Sequence, residues 1–397
     1  MNSICSAPWR GLHIQVDGGI STCCAGGFKL GNINTDTIES ALAHDKLQKV
    51  RESIKKGVLP EDYCKFCINA KKDGLRSEQD WHNSLNEDFD IKTATKEYQY
   101  PVLFDARWNN TCNSVCVYCN PVFSSKWSSI MNSKEVKIGQ DNKQKITSFF
   151  VNHGTHLKTV AMVGGEPLLI KENADLLDVI PTNVQIQVIT NFSSDVTKSK
   201  VFEKLCKRRK VSWHISLENI EDRYEYVRQG SKWQRVIDNL KILGKEVRNP
   251  PENNDHEIQF MSLFHLLNAT HLCELKEFSK EAINYFPYKF VQPNPYRKYI
   301  EIVWQDYSAP KQLSLEGYGR DVLSKVINEI KNYLKTDVTD LEVTYFTNKI
   351  RTFETISTET QLTVKQNLKT FLDRNESIFN NVGYFNRLWP ELSTLTA

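Results

Sequence analysis

Residues 109–121 read Asn-Asn-Thr-Cys112-Asn-Ser-Val-Cys116-Val-Tyr-Cys119-Asn-Pro, which places three thiols within eight residues. They directly follow an apolar run at 102–106 that has the length and composition of a strand. Thiolates are soft ligands suited to iron–sulfur clusters and to zinc. No fourth cysteine or histidine lies nearby in the sequence, so a metal held here keeps one position open. A reacting site needs that opening, whereas a structural site fills it. A structural zinc completed by a distant residue is the alternative on spacing alone.

From about Pro101 to Val303, strand-like and helix-like segments alternate. Strands are predicted at 102–106, 159–163, 184–189, 211–215, 257–263 and 288–291. Helices are predicted between them at 174–180, 197–208, 232–243 and 272–285. Six such units point to a parallel α/β sheet with right-handed crossovers, and periodicity alone does not separate an open sheet from a partial barrel. Polar motifs recur at the C-terminal ends of the predicted strands. These are the cysteine loop, then Met162-Val-Gly164-Gly165-Glu166-Pro, then Thr190-Asn191, then Ser216-Leu-Glu218-Asn219. Parallel α/β folds bind their ligands at that edge.

The 397 residues suggest two or three domains. Hydrophobic residues make up 40%, charged residues 25%, and the formal net charge is +3. That near-neutral balance gives no argument for nucleic acid or an anionic membrane as partner. No apolar run reaches the ~20 residues of a membrane span. The opening Met-Asn-Ser-Ile-Cys-Ser lacks the pattern of a secretory signal, so the expected location is the cytoplasm. A reducing compartment disfavours disulfides, and eight of the ten cysteines crowd into the first 119 residues, as ligands would. Cys206 and Cys273 stand alone and read as small buried apolar residues.

A second group of cysteines lies upstream. Cys5 and Gly18 are spaced C-x12-G, Gly18 and Cys23 G-x4-C, and Cys64 and Cys67 C-x2-C. Without Cys24 this makes four thiols, enough to close one tetrahedral or cubane site; a zinc ribbon is the alternative. Gly18 suits a tight hairpin turn. Cys24 is either a substrate-facing ligand or simply buried. A helix is predicted at 37–56, with Ile38, Leu42, Leu47, Val50 and Ile54 inward, stopped by Gly57 and Pro60. The polar stretch 76–99 reads as a connector and 249–255 as a surface loop. Beyond Asp306 the chain reads as mostly helical. Val322, Leu323, Val326, Ile327, Ile330, Tyr333 and Leu334 mark one amphipathic helix, and Leu368, Phe371, Leu372, Ile378, Phe379 and Val382 mark a second segment.

Over residues 100–300 the cysteine triad and the Gly-Gly-Glu segment resemble the radical S-adenosylmethionine (radical SAM) enzymes. The resemblance implies a partial (β/α)6 barrel in which Cys112, Cys116 and Cys119 hold a 4Fe–4S cluster whose unique iron chelates SAM. It implies that Tyr118 lies near the adenine. Gly164, Gly165 and Glu166 would hold the methionine amino group, and Ser216 would lie near the SAM polar groups. Asn191 would contact the ribose and Arg228 the carboxylate. The N-terminal pattern resembles the SPASM/twitch auxiliary-cluster modules, with Cys5, Cys23, Cys64 and Cys67 as ligands of a second 4Fe–4S cluster. Leu30-Gly-Asn-Ile33 and Arg51…Gly57…Pro60 also fit that pattern. The module usually follows the barrel; here it precedes it. The implied division is an auxiliary module at 1–95, a radical SAM core at 96–305 and a helical extension at 306–397.

The implied activity is reductive cleavage of SAM to a 5′-deoxyadenosyl radical that abstracts hydrogen from a substrate, either a peptide or a small molecule. The electron would come from a donor such as flavodoxin or ferredoxin. The cofactors carry the chemistry, and the sequence offers no separate protein nucleophile or acid–base pair. The alternative is a metal-stabilised binding or scaffold protein of the same fold without turnover.

Overall fold

The computed structural model describes residues 5–72, 77–91, 93–94, 100–134, 137–247, 255–286, 299–306 and 310–396. Near the start, β1 (Gly11–Ile14), β2 (Gly19–Ser21) and β3 (Gly31–Asn32) form an antiparallel meander. Asp17 and Gly18 turn the first hairpin. Gly18 has φ 85°, and a Cβ there would meet Asn32 Oδ1 at 2.7 Å, so the turn requires glycine. Next come β4 (Leu103–Ala106), the short β5 (Val115–Cys116), β6 (Thr159–Met162), β7 (Gln185–Thr190) and β8 (Lys210–Ser216). The short β9 (Arg228–Gln229), β10 (Asp255–Phe264) and β11 (Glu301–Asp306) complete the set.

One nine-stranded sheet runs in the order β11-β10-β8-β7-β6-β4-β1-β2-β3. The six strands from β4 to β11 are parallel and lie side by side in chain order. A doubly wound sheet reverses direction at a switch point; this one does not. Right-handed crossovers that all advance the same way put every helix on one face, so the sheet curls around the other. This is the expected partial (β/α)6 arrangement, with the cysteine-rich segment before it and a helical region after it.

Side-chain alternation follows. On β7, β8 and β10 the residues Ile186, Val188, Trp213, Ile215, Ile258 and Phe260 are buried under the helices. The other parity is polar: Gln185 donates to Ser212 Oγ (2.8 Å), which in turn donates to Glu257 Oε2 (3.1 Å), and Gln187 meets His214 Nε2 (3.1 Å). Ser216 shares this concave parity at the end of β8.

The sheet is continuous across residue 95. β1 pairs parallel with β4, with His13 opposite Asp105. Asp105 is buried and takes a two-pronged bond from Arg107 (3.2 and 3.1 Å), with His13 Nδ1 2.9 Å from its Oδ2. Burial alone would raise the Asp105 carboxyl, yet His13 and Arg107 pull it well below the usual carboxylate range.

Several elements depart from the sequence reading. The helix expected over 37–56 is two, Ile38–Leu42 and Asp45–Lys55, because His44 caps the second by accepting from Lys46 N (3.1 Å). The expected connector contains the helix Glu78–Ser84, closed by a Ser77–Asp80 capping box. The strand beside β10 is Glu301–Asp306, six residues straddling the expected end of the core, while the strand expected at 288–291 lies outside the described residues, as does most of the loop at 249–255. Cys206 and Cys273 are half-buried rather than fully enclosed. The two helices expected near the C-terminus are Arg320–Tyr333 and Leu362–Phe379; between them lies a third, Asp340–Glu354, opened by a Thr339–Glu342 capping box. No described helix is long and apolar enough to cross a membrane.

Replacing Asp105 by Asn removes the partner of the half-buried Arg107 and should cost about 1–3 kcal/mol at neutral pH. Because the folded carboxyl is held below its unfolded value, its contribution is present above about pH 4 and fades as the pH falls below that. Urea unfolding of wild type and Asp105→Asn at pH 7 and in acid should show a gap that narrows on acidification.

Candidate functional site

The loop after β4 is shaped by its own polar side chains. Asn109 Oδ1 accepts from Thr111 N (2.9 Å), and Asn110 Nδ2 donates to Pro121 O (2.8 Å). Cys112 N donates to Ser125 Oγ (3.1 Å), and Cys119 N donates to Cys116 O (2.9 Å). Ser114 N points at Cys112 Sγ (3.5 Å). Trp127 Nε1 donates to Cys116 O (2.9 Å), tying the following helix, Ser125–Ile130, to the loop. The three thiols lie close enough to feel one another's charge, and burial pushes Cys112 and Cys119 up to about 12. Such thiols keep their protons until a metal displaces them.

The Gly-Gly-Glu segment leans on this loop. Gly164 and Gly165 have φ 85° and 53°. A Cβ on Gly165 would sit 2.3 Å from Thr111 O. What approaches Gly165 here is the backbone of the cysteine loop. Glu166 N then donates to Thr111 O at 2.7 Å. The Glu166 side chain is buried. Its Oε1 accepts from Thr190 Oγ1 (2.6 Å) and Leu168 N (3.1 Å), and its Oε2 accepts from Asn191 N (2.8 Å). Burial raises its carboxyl, and these donors partly oppose that.

Asn191 turns toward the cysteines. Its Nδ2 donates to Asn113 Oδ1 (2.9 Å) and Ser114 Oγ (3.3 Å) and lies 3.9 Å from Cys112 Sγ. Phe192 follows with φ 52°, uncommon for an aromatic residue, and donates its amide to Thr190 Oγ1 (2.9 Å). Arg228 reaches the cysteines because β9 pairs antiparallel with β5, opposite Cys116. The Arg228 Nε and Nη2 grip Glu218 at 2.8 Å each, Nη1 lies 3.8 Å from Cys116 Sγ, and the guanidinium covers the Tyr118 ring at 5.6 Å. The Tyr118 ring also meets His265, with ring centroids 5.7 Å apart. Ser216 lies at the end of β8, half-buried on the concave face.

Sequence reasoning missed five participants. Ser114, Ser193 and Ser231 form a buried hydroxyl chain (Ser114–Ser231 2.6 Å, Ser193–Ser231 2.9 Å) that joins the cysteine loop to the ends of β7 and β9. Serine is too common for any of the three to stand out. Trp127 and His265 carried no spacing signal either.

The upstream cysteines are gathered by different means. Cys64 and Cys67 occupy one turn of the helix Glu61–Lys72, and Cys23 and Cys24 follow β2. Gly27 N donates to Tyr63 O (3.1 Å), and Tyr63 Oη meets Thr22 Oγ1 (3.0 Å), so the hairpin docks on that helix. Arg51 holds the Cys5 end through two bonds to Pro8 O (3.0 and 2.8 Å). Burial raises all four expected ligands; Cys5 also feels Cys64 and Cys67, and Cys23 feels Cys5. Cys24 hydrogen-bonds the Cys23 thiol, and it also feels the charges of Glu78 and Asp105. Among the described residues, no three Cys, His, Asp or Glu side chains gather around a single-ion site. In a cubane each thiolate binds its own iron, so the donors surround the group rather than meet at a point. Two sets of buried and half-buried thiols, near enough to feel one another's charge, are a donor set of the right chemistry for such a group.

Residues 5–68 match the SPASM family, described as an iron–sulfur cluster-binding domain. The N-terminal region thus carries a SPASM-type iron–sulfur module, as its cysteine spacing predicted. No curated protein matches the chain. Among solved structures the chain is similar to Streptococcus suis SuiB. The form bound to S-adenosylmethionine is 15% identical over 72% of this chain and 64% of SuiB, with a TM-score of 0.42. The form bound to precursor peptide SuiA is 14% identical over 76% of this chain and 55% of SuiB, at 0.40. A further SuiB structure is 14% identical over 84% of this chain and 72% of SuiB, at 0.38. The chain spans less than two thirds of the first two SuiB chains.

Gly165→Ala should destabilise the fold more than Gly57→Ala. Both positions have positive φ, worth about 1–2 kcal/mol to any L side chain, but Gly57 has nothing within 4 Å while Gly165 abuts Thr111. Comparing the two melting temperatures isolates the contact between the loops.

Proposed function

We propose that the chain is a radical SAM enzyme with one 4Fe–4S cluster at Cys112, Cys116 and Cys119 and a second in the N-terminal module at Cys5, Cys23, Cys64 and Cys67. The observation that carries this reading is the docking of the Gly-Gly-Glu segment onto the three-cysteine loop, at the C-terminal edge of a sequentially ordered parallel sheet. Three thiols with no fourth cysteine or histidine beside them in the sequence leave a coordination position for a substrate-like ligand. When bound, the cluster and SAM supply reductive cleavage to a 5′-deoxyadenosyl radical, which abstracts hydrogen from the substrate.

The chain's own residues bind and orient. Glu166 Oε2 takes a single donor, so it keeps acceptor capacity for the ammonium of the methionine moiety. Arg228, aligned by Glu218, keeps Nη1 at Cys116 and available to the methionine carboxylate. Tyr118, held by Arg228 and His265, lies beside the cysteines, where the adenine would sit. Asn191 and Ser216 complete the polar rim. The substrate class is a peptide, in keeping with the SPASM module, whose relatives often modify peptides. The reducing cytoplasm suits ten unpaired thiols.

Anaerobic reconstitution should give about eight irons and eight sulfides per chain, and about four of each after Cys112, Cys116 and Cys119 are all changed to Ala. Reduced wild type should release 5′-deoxyadenosine and methionine from SAM, and Cys116→Ala should release none. Cys64→Ala with Cys67→Ala should lose the second cluster's electron resonance signal yet keep SAM cleavage. A chain that binds SAM but never yields 5′-deoxyadenosine under strong reductant is a scaffold rather than an enzyme.

A further inference from the structure

We propose that the outer face of the helix Ser125–Ile130, together with the C-terminal end of the helix Leu362–Phe379, is the docking surface for a one-electron carrier protein with an acidic face. This rests on the radical SAM reading, which requires an external electron and leaves its point of entry open.

The surface starts from the cysteine loop itself. The helix Ser125–Ile130 is bonded at its inner side to the backbone on both sides of the first two thiols, through Ser125 Oγ to Cys112 N and Trp127 Nε1 to Cys116 O. Of its own residues Lys126, Ser129 and Ile130 are exposed, and the apolar residues that flank it are open. Val122, Phe123, Ile130 and Met131 are 41–45% exposed, although they lie within twelve residues of Cys119. The C-terminal helix extends the patch. Phe379 packs edge-on against Trp127 at 6.1 Å, and Arg374 Nη2 meets Met131 Sδ at 3.0 Å. Ile378 and Val382, flanking Phe379, are 36% and 77% exposed. An apolar cluster of this kind, drawn from two distant segments, marks an interaction site more often than chance exposure.

Its charge selects the partner. Residues 120–137 carry Lys126, Lys134 and Lys137 against Glu135 alone, and Arg374 on the C-terminal helix is offset by its exposed neighbour Asp373, so the sequence here keeps a small positive excess. Lys126 and Lys134 are exposed and form no ion pair among the described residues. A small apolar centre with a basic rim suits a transient partner with an acidic rim, and redox encounters bury little area. The position suits electron entry. Trp127 packs on Phe379 of the patch and donates to the Cys116 carbonyl, so it links this surface to the cysteine loop. One electron leaves the reduced carrier, which is oxidised by one, and the cluster at Cys112, Cys116 and Cys119 is reduced by one.

The test compares two reductants on the reconstituted full chain, dithionite and a reduced carrier, with flavodoxin hydroquinone and reduced ferredoxin each tried. The variants are Met131→Glu with Lys134→Glu, and separately Val382→Glu. SAM cleavage driven by dithionite should stay within about twofold of wild type in both. Cleavage driven by the effective carrier should fall about tenfold at low salt in the double variant, with a smaller fall in Val382→Glu. Raising the salt should slow the carrier-driven wild-type reaction and leave the dithionite reaction unchanged. Variants that accept carrier electrons at the wild-type rate overturn the proposal. So does a wild type that dithionite reduces but neither carrier does, or a patch whose loss weakens only binding of a peptide substrate. If dithionite itself yields no 5′-deoxyadenosine from wild type, the radical SAM reading fails, not the docking surface.

Discussion

The amide of Glu166 donates to the carbonyl of Thr111 at 2.7 Å, and Gly165 allows that approach because it has no Cβ. Through this contact the loop after β6 is held against the loop after β4, and the first cysteine follows Thr111 directly. The Glu166 carboxylate then extends the hold to β7 through Thr190 and Asn191, and Asn191 returns to the cysteine loop through Asn113 and Ser114. Three successive strand ends are thereby fixed around one point. A site assembled this way gains precision from rigid strands rather than from mobile loops.

The fourth strand end joins by charge. Glu218 and Arg228 form a two-pronged pair that is almost wholly enclosed, with side chains 1% and 5% exposed. A buried pair of this kind adds little net stability over an apolar pair, but breaking it is costly, so it fixes orientation. Here it aims the remaining Arg228 nitrogen at Cys116, and the β5–β9 pairing delivers the arginine to that place. The same logic joins the N-terminal module to the sheet. Asp105 of β4 is shared between Arg107 of its own strand end and His13 of β1, and the Arg107 Cβ and Cγ lie against Gly164. The cysteine-rich module is thus a continuation of the barrel's first edge, one buried charge away from the Gly-Gly-Glu loop.

The placement of the module before the barrel becomes intelligible from this pairing. A parallel partner for β4 needs a long crossover, and the segment from β2 to the helix Glu78–Ser84 serves as that crossover while gathering Cys23, Cys64 and Cys67. The N-terminal cysteines are held within this segment by the contacts of Tyr63 with Thr22 and of Arg51 with Pro8.

The sequence by itself determined the parallel α/β core, five of its six strands to within one or two residues, and both cysteine groups. Alternating apolar runs and tight thiol spacings are local signals that do not depend on distant contacts. It also determined that Gly18 turns a hairpin and that Gly164, Gly165 and Glu166 belong to the cysteine loop's edge of the sheet. Tertiary structure decided what these residues do there. Gly165 is required by Thr111, and Arg228 is held by Glu218 and paired opposite Cys116 across 112 residues of chain. Asn191 faces Asn113, and three unremarkable serines close a hydroxyl chain. Such contacts depend on register and on loops meeting in space, which residue type and spacing do not encode. The break of the 37–56 helix at His44, the capped helix within the expected connector and the last strand at Glu301–Asp306 were likewise settled by caps and pairing partners, which outweigh local periodicity at element ends.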